Sequence, residues 1–249
     1  MSTGTQTVTG TFVWHDHMSG DSPAAQGFYS KLFGWSYTPF ETDQGEYPMI
    51  TTNGQQHGGF GPAHMGAPPH WIGHVLVDDA DAAGARAESA GGQVLAAMDI
   101  PEVGRFAVIR DPQGAVISAF APQGEAQVPE GAFVWDELHT SDIEAAKTFY
   151  PAVFGWTLNE MDMGEMGTYV LFQAGGVDRA GAMQQMANDP SPPHWLTYLG
   201  TDDVDATTAK AKELGGQVYM DPMDIPNIGR FSIAADPTGA AFGIYKPAS

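Results

Sequence analysis

Alternating apolar and polar residues form the first predicted element, FVWHDHM from Phe12, and a period of two is typical of a β-strand. The next segment, SGDSPAAQGFYSKLFG, begins with Ser and Asp, has Pro in its first turn and ends on Gly, which is the pattern of a helix. Three strand-like segments follow, WSYTPFE, YPMITTN and GGFGPA. The pattern therefore predicts the order β-α-β-β-β.

The same order recurs in the next part of the chain. WIGHVLV from Trp71 has the pattern of a strand, and the Ala-rich DDADAAGARAESAGG predicts a helix that ends on Gly. QVLAAMD, RFAVIRD and AVISAFA then predict three more strands. This region therefore contains two β-α-β-β-β units.

The second half of the chain repeats the first. FVWDELHTSDIEAAKTFYPAVFGW from Phe133 aligns without a gap on FVWHDHMSGDSPAAQGFYSKLFGW from Phe12. PPHWIGHVLVDDADA, DIPEVGRF and DPQGA each have a counterpart in the same order: PPHWLTYLGTDDVDA, DIPNIGRF and DPTGA. We therefore predict two copies of one domain, residues 8–123 and 129–249, joined around the linker-like segment APQGEAQVPEG. The first strands differ just after the Trp, with HDHM in one copy and DELH in the other.

Composition and charge narrow the classes of partner. The 249 residues carry a formal net charge of −20, which repels phosphate backbones and anionic lipid, so we expect neither nucleic acid nor membrane as a partner. No Cys is present, which excludes disulfides and thiolate chemistry. No apolar run approaches the roughly 18 residues of a membrane span. We expect a cytoplasmic monomer or homodimer with a small-molecule ligand.

The ordered motifs resemble the vicinal oxygen chelate superfamily, which includes glyoxalase I, bleomycin-resistance proteins and extradiol dioxygenases. The resemblance rests on D-x-x-x-A-x-x-FY-x-x-x-FGW, VDDxDA or its counterpart TDDVDA, GGxV, GRF and DPxGA, each in both copies. It implies an α+β fold in which four βαβββ units form two cup-shaped open barrels. Helices would lie on the convex face and a ligand on the concave face.

Enzymes of this superfamily usually hold a divalent metal through three ligand columns, and the resemblance locates these columns by their distance from three Asp residues. The first column lies seven residues before the Asp of the first helix, and the second lies at the equivalent place in the next unit. The third lies seven residues after the Asp of DPxG. The six positions carry Trp14, Trp135, Ile72, Leu196, Ser118 and Gly243. Since none is a metal ligand by type, we predict no cofactor, with a divalent metal as the alternative if the register is shifted.

Strand alternation predicts which other side chains share the cups with these columns. The predicted ligand-binding residues are Trp14, Asp16, Met18, His74, Ser118, Trp135, Glu137, His139, Tyr198, Arg105 and Arg230. Asp16 and Glu137 are candidate catalytic bases, and Glu137 with His139 is a candidate acid–base pair. Solvated or ion-paired strand carboxylates are the alternative for both acids.

Other residues have a structural interpretation beside the functional one. His15 and His17 form a His-x-His pair, but alternation assigns them to the helix side, which favours packing or surface over metal binding. His70 and His194 in PPHW favour capping or packing. Arg105 and Arg230 are candidates to bind an anionic group, or to form internal ion pairs in so acidic a chain.

Three functions remain open after these considerations. The first is metal-independent binding of an apolar or aromatic small molecule, as in antibiotic sequestration. The second is a glyoxalase- or dioxygenase-like lyase or hydroxylase, either metal-dependent or with Asp16 or Glu137 as base. The third is a scaffold whose cups are filled by side chains. We rank the binder first.

Overall fold

The computed structural model describes residues 8–42, 45–63, 66–124, 126, 128, 131–164, 167–187 and 189–248. Sixteen strands and four helices alternate in the predicted order within these residues. The helices are α1 (Ser22–Phe33), α2 (Ala80–Ser89), α3 (Ile143–Phe154) and α4 (Val204–Glu213).

Each copy of the repeat contributes the eight strands of one sheet. The first copy supplies β1 (Phe12–Ser19), β2 (Ser36–Thr42), β3 (Gly45–Thr52), β4 (Gln55–Pro62), β5 (His70–Leu76), β6 (Gln93–Ile100), β7 (Gly104–Arg110) and β8 (Val116–Pro122). The second copy supplies β9 (Phe133–Thr140), β10 (Thr157–Asp162), β11 (Thr168–Ala174), β12 (Val177–Gln184), β13 (His194–Gly200), β14 (Gln217–Ile225), β15 (Gly229–Ala235) and β16 (Ala241–Pro247).

Strand order is the same in the two sheets. It is β2-β3-β4-β1-β5-β8-β7-β6 in the first and β10-β11-β12-β9-β13-β16-β15-β14 in the second. β1 pairs with β4, β5 with β8, β12 with β9 and β13 with β16 in parallel, whereas the hairpins within each unit are antiparallel. The predicted α+β fold with four βαβββ units is confirmed.

Helix ends follow the signals in the sequence. The Asp21 side chain accepts a hydrogen bond from the backbone N–H of Ala24 at 3.0 Å, and Pro23 lies in the first turn. Gly34 ends the helix with φ of 74°, a left-handed conformation that suits glycine. Asp142 and Gly155 occupy the same places around α3.

The chain divides into two compact units by its contacts. The α2–α3 unit comprises Met1–Trp14, Gly73–Val128 and Trp135–Trp195, and the α1–α4 unit comprises His15–Ile72, Pro129–Val134 and Leu196–Ser249. Each unit therefore contains one βαβββ unit from each copy of the repeat. The bounds 8–123 and 129–249 describe the sequence copies and stay a prediction.

Each unit has its own apolar core. In the α2–α3 unit, Phe149 and Tyr150 of α3 are buried with Leu138 of β9 and Ala83 of α2. In the α1–α4 unit, Phe28 and Tyr29 of α1 are buried with Phe242 of β16. Side chains of Leu or Phe size contribute about 1.5 to 3 kcal/mol each when fully buried, so these helix-facing sides of the strands hold the fold together.

Alternation along β1 separates its two faces. Val13, His15, His17 and Ser19 are buried, while the residues between them are partly exposed. Leu138 places the corresponding buried face of β9 against α3, so Trp135, Glu137 and His139 lie on the opposite face of that strand. We call this opposite face the open face of β9.

Candidate functional site

The open face of β9 carries a chain of hydrogen bonds through three predicted site residues. Trp135 Nε1 donates to Tyr169 Oη at 3.0 Å, and Tyr169 Oη donates to Glu137 Oε2 at 2.5 Å. His139 Nε2 lies 2.9 Å from Glu137 Oε1. Both carboxylate oxygens of Glu137 therefore have a partner.

Donor and acceptor rules fix the direction of this chain. The indole N–H of Trp135 can only donate, so the hydroxyl of Tyr169 accepts from it and uses its own hydrogen for Glu137. An ionised carboxylate can only accept, so Nε2 of His139 carries a hydrogen and Nδ1 carries a lone pair in the neutral ring. Glu137 thereby holds one tautomer of His139.

A glycine on the neighbouring strand makes room for the Tyr169 side chain to reach Glu137. Gly181 of β12 is the backbone partner of Glu137, and the ring of Tyr169 lies over it. Any Cβ at Gly181 would overlap Tyr169 Oη. The Tyr169 side chain therefore crosses β12 to reach Glu137 because position 181 has no side chain.

His194, at the start of β13, lies beside His139. The two rings are stacked with centroids 4.9 Å apart and planes at 21°. His194 Nδ1 lies 2.9 Å from the carbonyl oxygen of Pro192, which can only accept, so Nδ1 carries the hydrogen and Nε2 the lone pair of the neutral ring. Burial, and next the charge of His139, lower the pKa of His194 despite raising effects from Pro192, Asp189 and Glu137.

The equivalent site of the first copy has the hydrogen bond between tyrosine and acid, but it has a methionine in place of His139. Tyr47 Oη donates to Asp16 Oδ1, and the ring of Tyr47 lies over Gly59, the backbone partner of Asp16. Met18 occupies the place of His139. His70 keeps the contact of His194, with its Nδ1 2.8 Å from the carbonyl oxygen of Pro68. The first copy thus retains the tyrosine–acid pair, with a methionine thioether at the position that His139 occupies in the second copy.

The residues at the family's metal-ligand positions do not fit a cation. Gly243 is the backbone partner of Tyr198, and any Cβ at position 243 would overlap the Tyr198 ring, so a carboxylate side chain has no room there. Ile72 and Leu196 are buried aliphatic residues. Within the described residues, no three His, Asp or Glu side chains are grouped so as to hold a metal ion.

Two further predicted site residues lie together on β5 and β8. His74 and Ser118 are backbone partners across these parallel strands, and both are buried. The ring of His74 meets Phe106 edge-on, with centroids 6.1 Å apart. Tyr198 packs at a tilt of 59° against Phe231 and meets Tyr245 edge-on. Roles for His74, Ser118 and Tyr198 in ligand binding stay predictions.

The two predicted anion-binding arginines form ion pairs. Arg105 Nε lies 2.8 Å from Asp81 and its Nη1 2.9 Å from Asp99. Arg230 forms the same arrangement with two carboxylates of its own, Asp205 and Asp224. These are the internal ion pairs that the sequence analysis offered as the alternative, and a ligand role for either arginine stays a prediction.

The His-x-His pair of β1 is confirmed as a packing feature. His15 stacks on Phe133 with centroids 4.2 Å apart, and His17 is fully buried. His17 Nε2 lies 2.7 Å from Asp236 Oδ2, and its ring packs edge-on against Tyr29. Their alternate positions on the strand direct both rings to the helix side, as predicted.

Tyr47 and Tyr169 are the site residues that the sequence analysis missed. Each lies on the second strand after the helix, two strands away from the acid it contacts, so no local spacing connects them. The available signal was the pair of glycines, Gly59 and Gly181, at matching places in the two copies. A glycine inside a strand indicates close approach by another group.

Family models match both copies. Residues 13–120 match a glyoxalase-like domain, and residues 132–175 match the N-terminal part of a bleomycin resistance protein-like domain. A putative glyoxylase, CFP32, of Mycobacterium tuberculosis is 39% identical over 251 residues, covering 96% of this chain and 95% of that protein. The anthracycline biosynthesis protein DnrV of Streptomyces peucetius is 34% identical, covering 97% of this chain and 95% of that protein.

Solved structures of low sequence identity share the fold. The Mn(II)-bound glyoxalase from Novosphingobium aromaticivorans has a TM-score of 0.64 at 16% identity, covering 96% of this chain and 82% of that one. A catechol 2,3-dioxygenase has a TM-score of 0.65 at 13% identity, covering 98% and 90%. With the repeated βαβββ order and two relatives above 30% identity over nearly the whole chain, the protein belongs to the vicinal oxygen chelate superfamily as a tandem, two-domain member of the glyoxalase and bleomycin-resistance type.

Proposed function

We propose that the chain binds a small aromatic or largely apolar molecule without a metal ion, and that the open face of β9 forms part of the binding surface. The observation that carries the proposal is the chemistry at the family's ligand positions. These positions hold indole, aliphatic, hydroxyl and glycine groups, which are poor ligands for Mn²⁺ or Fe²⁺ but include good surfaces for an aromatic ring.

The groups around Glu137 offer a ligand aromatic contact surface and also polar groups that would orient it. The indole of Trp135 and the ring of Tyr169 are held together by a hydrogen bond, so their aromatic surface is pre-arranged and loses little entropy when a ligand binds. The carboxylate of Glu137 and the imidazole of His139 add polar groups beside that surface. A mainly apolar wall with a few fixed polar groups is typical of small-molecule sites.

The relatives are consistent with this ligand class. DnrV is named for anthracycline biosynthesis, and anthracyclines are flat polycyclic aromatic molecules. The net charge of −20 disfavours anionic ligands at long range, so a neutral aromatic compound suits the chain best. In the part of the chain that the structure describes, no helix is long and apolar enough to cross a membrane. A cytoplasmic location and a monomeric or homodimeric state stay predictions.

Calorimetric titration with naphthol tests the proposal. We expect saturable binding that is unchanged by a chelator or by added Mn²⁺, and that is weaker for cyclohexanol, an apolar alcohol without an aromatic ring. Trp135→Ala should weaken naphthol binding by about 1 kcal/mol, roughly fivefold, the usual value of an aromatic contact beyond its area.

Tyr219→Ala is the matched control, because it removes another large aromatic side chain that is 55% exposed and lies on β14. Its affinity for naphthol should equal that of the unaltered protein. Binding that requires Mn²⁺, or that responds equally to both substitutions, would contradict the proposal.

A further inference from the structure

We infer that the second copy of the repeat catalyses metal-free proton transfer on a carbon acid, with Nδ1 of His139 as the base. The proposal rests on the proposed aromatic binding and goes beyond it, because binding alone needs no base. The observation is the one-way hydrogen-bond chain that ends at His139.

One ring nitrogen of His139 is available to accept a proton from a ligand. The hydrogen bond from Nε2 to Glu137 leaves Nδ1 of His139 with a lone pair. Among the residues that the structure describes, Nδ1 has no hydrogen-bond partner. Nδ1 is not a fully buried atom, and the His139 side chain is 14% exposed. A ligand on the open face of β9 can therefore reach this nitrogen.

A proton on Nδ1 gives the His139 ring a positive charge. When Nδ1 of His139 accepts a proton, the ring becomes an imidazolium whose Nε2–H remains bonded to the carboxylate of Glu137. The carboxylate in turn keeps the hydrogen bond from Tyr169. Glu137 is thus a positioning residue, because it fixes the tautomer of His139 and stabilises the charged ring without touching the substrate.

The other titratable groups near His139 support separate roles for the two imidazoles. Burial, followed by the charge of His139, lowers the pKa of His194, which makes its imidazole a weaker base. Hydrogen bonds from Ser191, followed by smaller effects of His194 and His139, lower the pKa of Asp189. Asp189 is therefore a second carboxylate that favours a positive charge in this region. Pairs of titratable groups whose environments separate their proton affinities are typical of acid–base sites.

The first copy supplies the natural comparison for the inference. It conserves the tyrosine–acid pair and the histidine of PPHW, but Met18 replaces the base. One chain therefore contains the tyrosine–acid pair twice, once with an imidazole two residues after the acid and once with a thioether at that position. The inference assigns catalysis to the second copy alone.

The reaction class follows from what the site supplies. The carbon–hydrogen electron pair next to the carbonyl of an aromatic ketone becomes the C=C bond of an enolate, the C=O π pair moves onto the oxygen, and the proton goes to Nδ1 of His139. The imidazolium then returns a proton to the same molecule, and the C=O bond is restored. The reaction is an isomerisation or a hydrogen exchange, and it needs no oxidant, reductant or second substrate. General base catalysis of this kind contributes about 10²- to 10⁴-fold in rate.

Hydrogen–deuterium exchange into β-tetralone in D₂O, followed by mass spectrometry, is the direct test. β-Tetralone is an aromatic ketone with acidic hydrogens next to its carbonyl group, and naphthol resembles its enol in shape. We expect exchange above the buffer rate. His139→Met, which installs the residue of the first copy, should lower that rate at least about 100-fold.

Naphthol affinity measured on the same variants separates this inference from the proposed function. His139→Met removes one polar group from the proposed binding surface, so naphthol affinity should fall by no more than about tenfold, whereas exchange should fall at least about 100-fold. His70→Met is the control: it makes the same change of residue type in the first copy, at the counterpart of His194, and should leave exchange unchanged. Exchange that survives His139→Met would overturn the inference, as would naphthol binding without exchange. Exchange that depends on His139 without naphthol binding would overturn the proposed ligand class instead.

Glu137→Gln tests the positioning role. The substitution removes the counter-charge of the imidazolium, so the rate constant at saturation should fall while KM stays nearly constant. The acidic limb of the pH–rate profile should also move to lower pH. Glu137→Asp, with the acid of the first copy, should recover part of the rate. An unchanged pH profile for Glu137→Gln would assign Glu137 a structural role only.

Discussion

Near their ends, equivalent strands of the two copies place a histidine on opposite faces. β1 has His17 followed by Met18, and β9 has Leu138 followed by His139. His17 is fully buried against Asp236, whereas His139 bonds Glu137 on the open face of β9. Because successive strand residues point to opposite faces, a shift of one position moves the imidazole from the core to the site. This shift accounts for the second half of the difference between HDHM and DELH, where His-Met in one copy faces Leu-His in the other.

The cores of the two units show what the buried histidine changes. In the α2–α3 unit, Asp111 Oδ1 accepts three backbone N–H groups of its turn, and Tyr150 Oη donates to Oδ2 at 2.9 Å. In the α1–α4 unit, Asp236 Oδ1 binds its turn in the same way, but Oδ2 lies 2.7 Å from His17 Nε2. Both units therefore place a phenol beside the aspartate, Tyr150 by Asp111 and Tyr29 by Asp236, and the α1–α4 unit adds the imidazole of His17.

Electrostatics differ accordingly between the two aspartates. Burial is the largest influence on Asp111 and raises its pKa, against the hydrogen bonds from Tyr150 and the turn. Burial acts on Asp236 as well, but the hydrogen bond and charge of His17, with the bonds from Thr238, lower its pKa. The folded α2–α3 unit disfavours the charge of its aspartate, and the folded α1–α4 unit favours it.

The largest expected effect comes from neutralising these aspartates one at a time. Asp236→Asn keeps an oxygen for the turn but leaves His17 without its charged partner, so we expect a loss of about 3 kcal/mol in unfolding free energy at neutral pH. Asp111→Asn keeps the turn and removes a disfavoured charge, so its loss should be much smaller. Urea unfolding followed by circular dichroism measures both, and equal losses would remove the distinction between the units.

Lowering the pH should reduce the difference between the stability losses of these two variants. The lowered pKa of Asp236 means that its contribution to stability is present above the ordinary aspartate pKa of about 4 and is lost as pH falls through the folded value. The raised pKa of Asp111 has the opposite sign, with a contribution present at low pH and lost as pH rises through the folded value. The cost of Asp236→Asn should therefore shrink in urea series taken toward pH 3. A cost that is independent of pH would show that His17 and Asp236 are not an ion pair.

A smaller effect is expected from filling the two strand glycines. Gly181→Ala and Gly59→Ala each place a Cβ where a tyrosine now lies, so either change should displace that tyrosine and cost about 1 to 3 kcal/mol of stability. Function should distinguish them, because only Gly181→Ala disturbs the tyrosine bonded to Glu137. β-Tetralone exchange should fall for Gly181→Ala and persist for Gly59→Ala. The reverse order would place the proton-transfer site in the first copy.

The sequence predicted the frame of the molecule better than its contacts. Periodicity, caps and the repeat were sufficient for the order of strands and helices, because these signals are local. The bonds of the DPxG aspartates to Tyr150 and His17 were not predicted, since these residues lie in the other copy of the repeat. Glu137 and His139 were predicted because they share one strand face. Tyr169 was not, because its position depends on strand pairing across Gly181.

The smallest expected effect concerns a feature that the units share. Arg105 and Arg230 each bridge two exposed aspartates, and exposed ion pairs add little to stability because water and salt screen them. Arg105→Ala and Arg230→Ala should therefore leave the melting temperature nearly unchanged. Their affinities for naphthol and for naphthoate should also match those of the unaltered protein. If either arginine instead anchors an anionic group of the ligand, its variant alone will lose naphthoate and keep naphthol. That result would show the two copies to differ in the charge of the ligand they accept, in addition to the base that they offer.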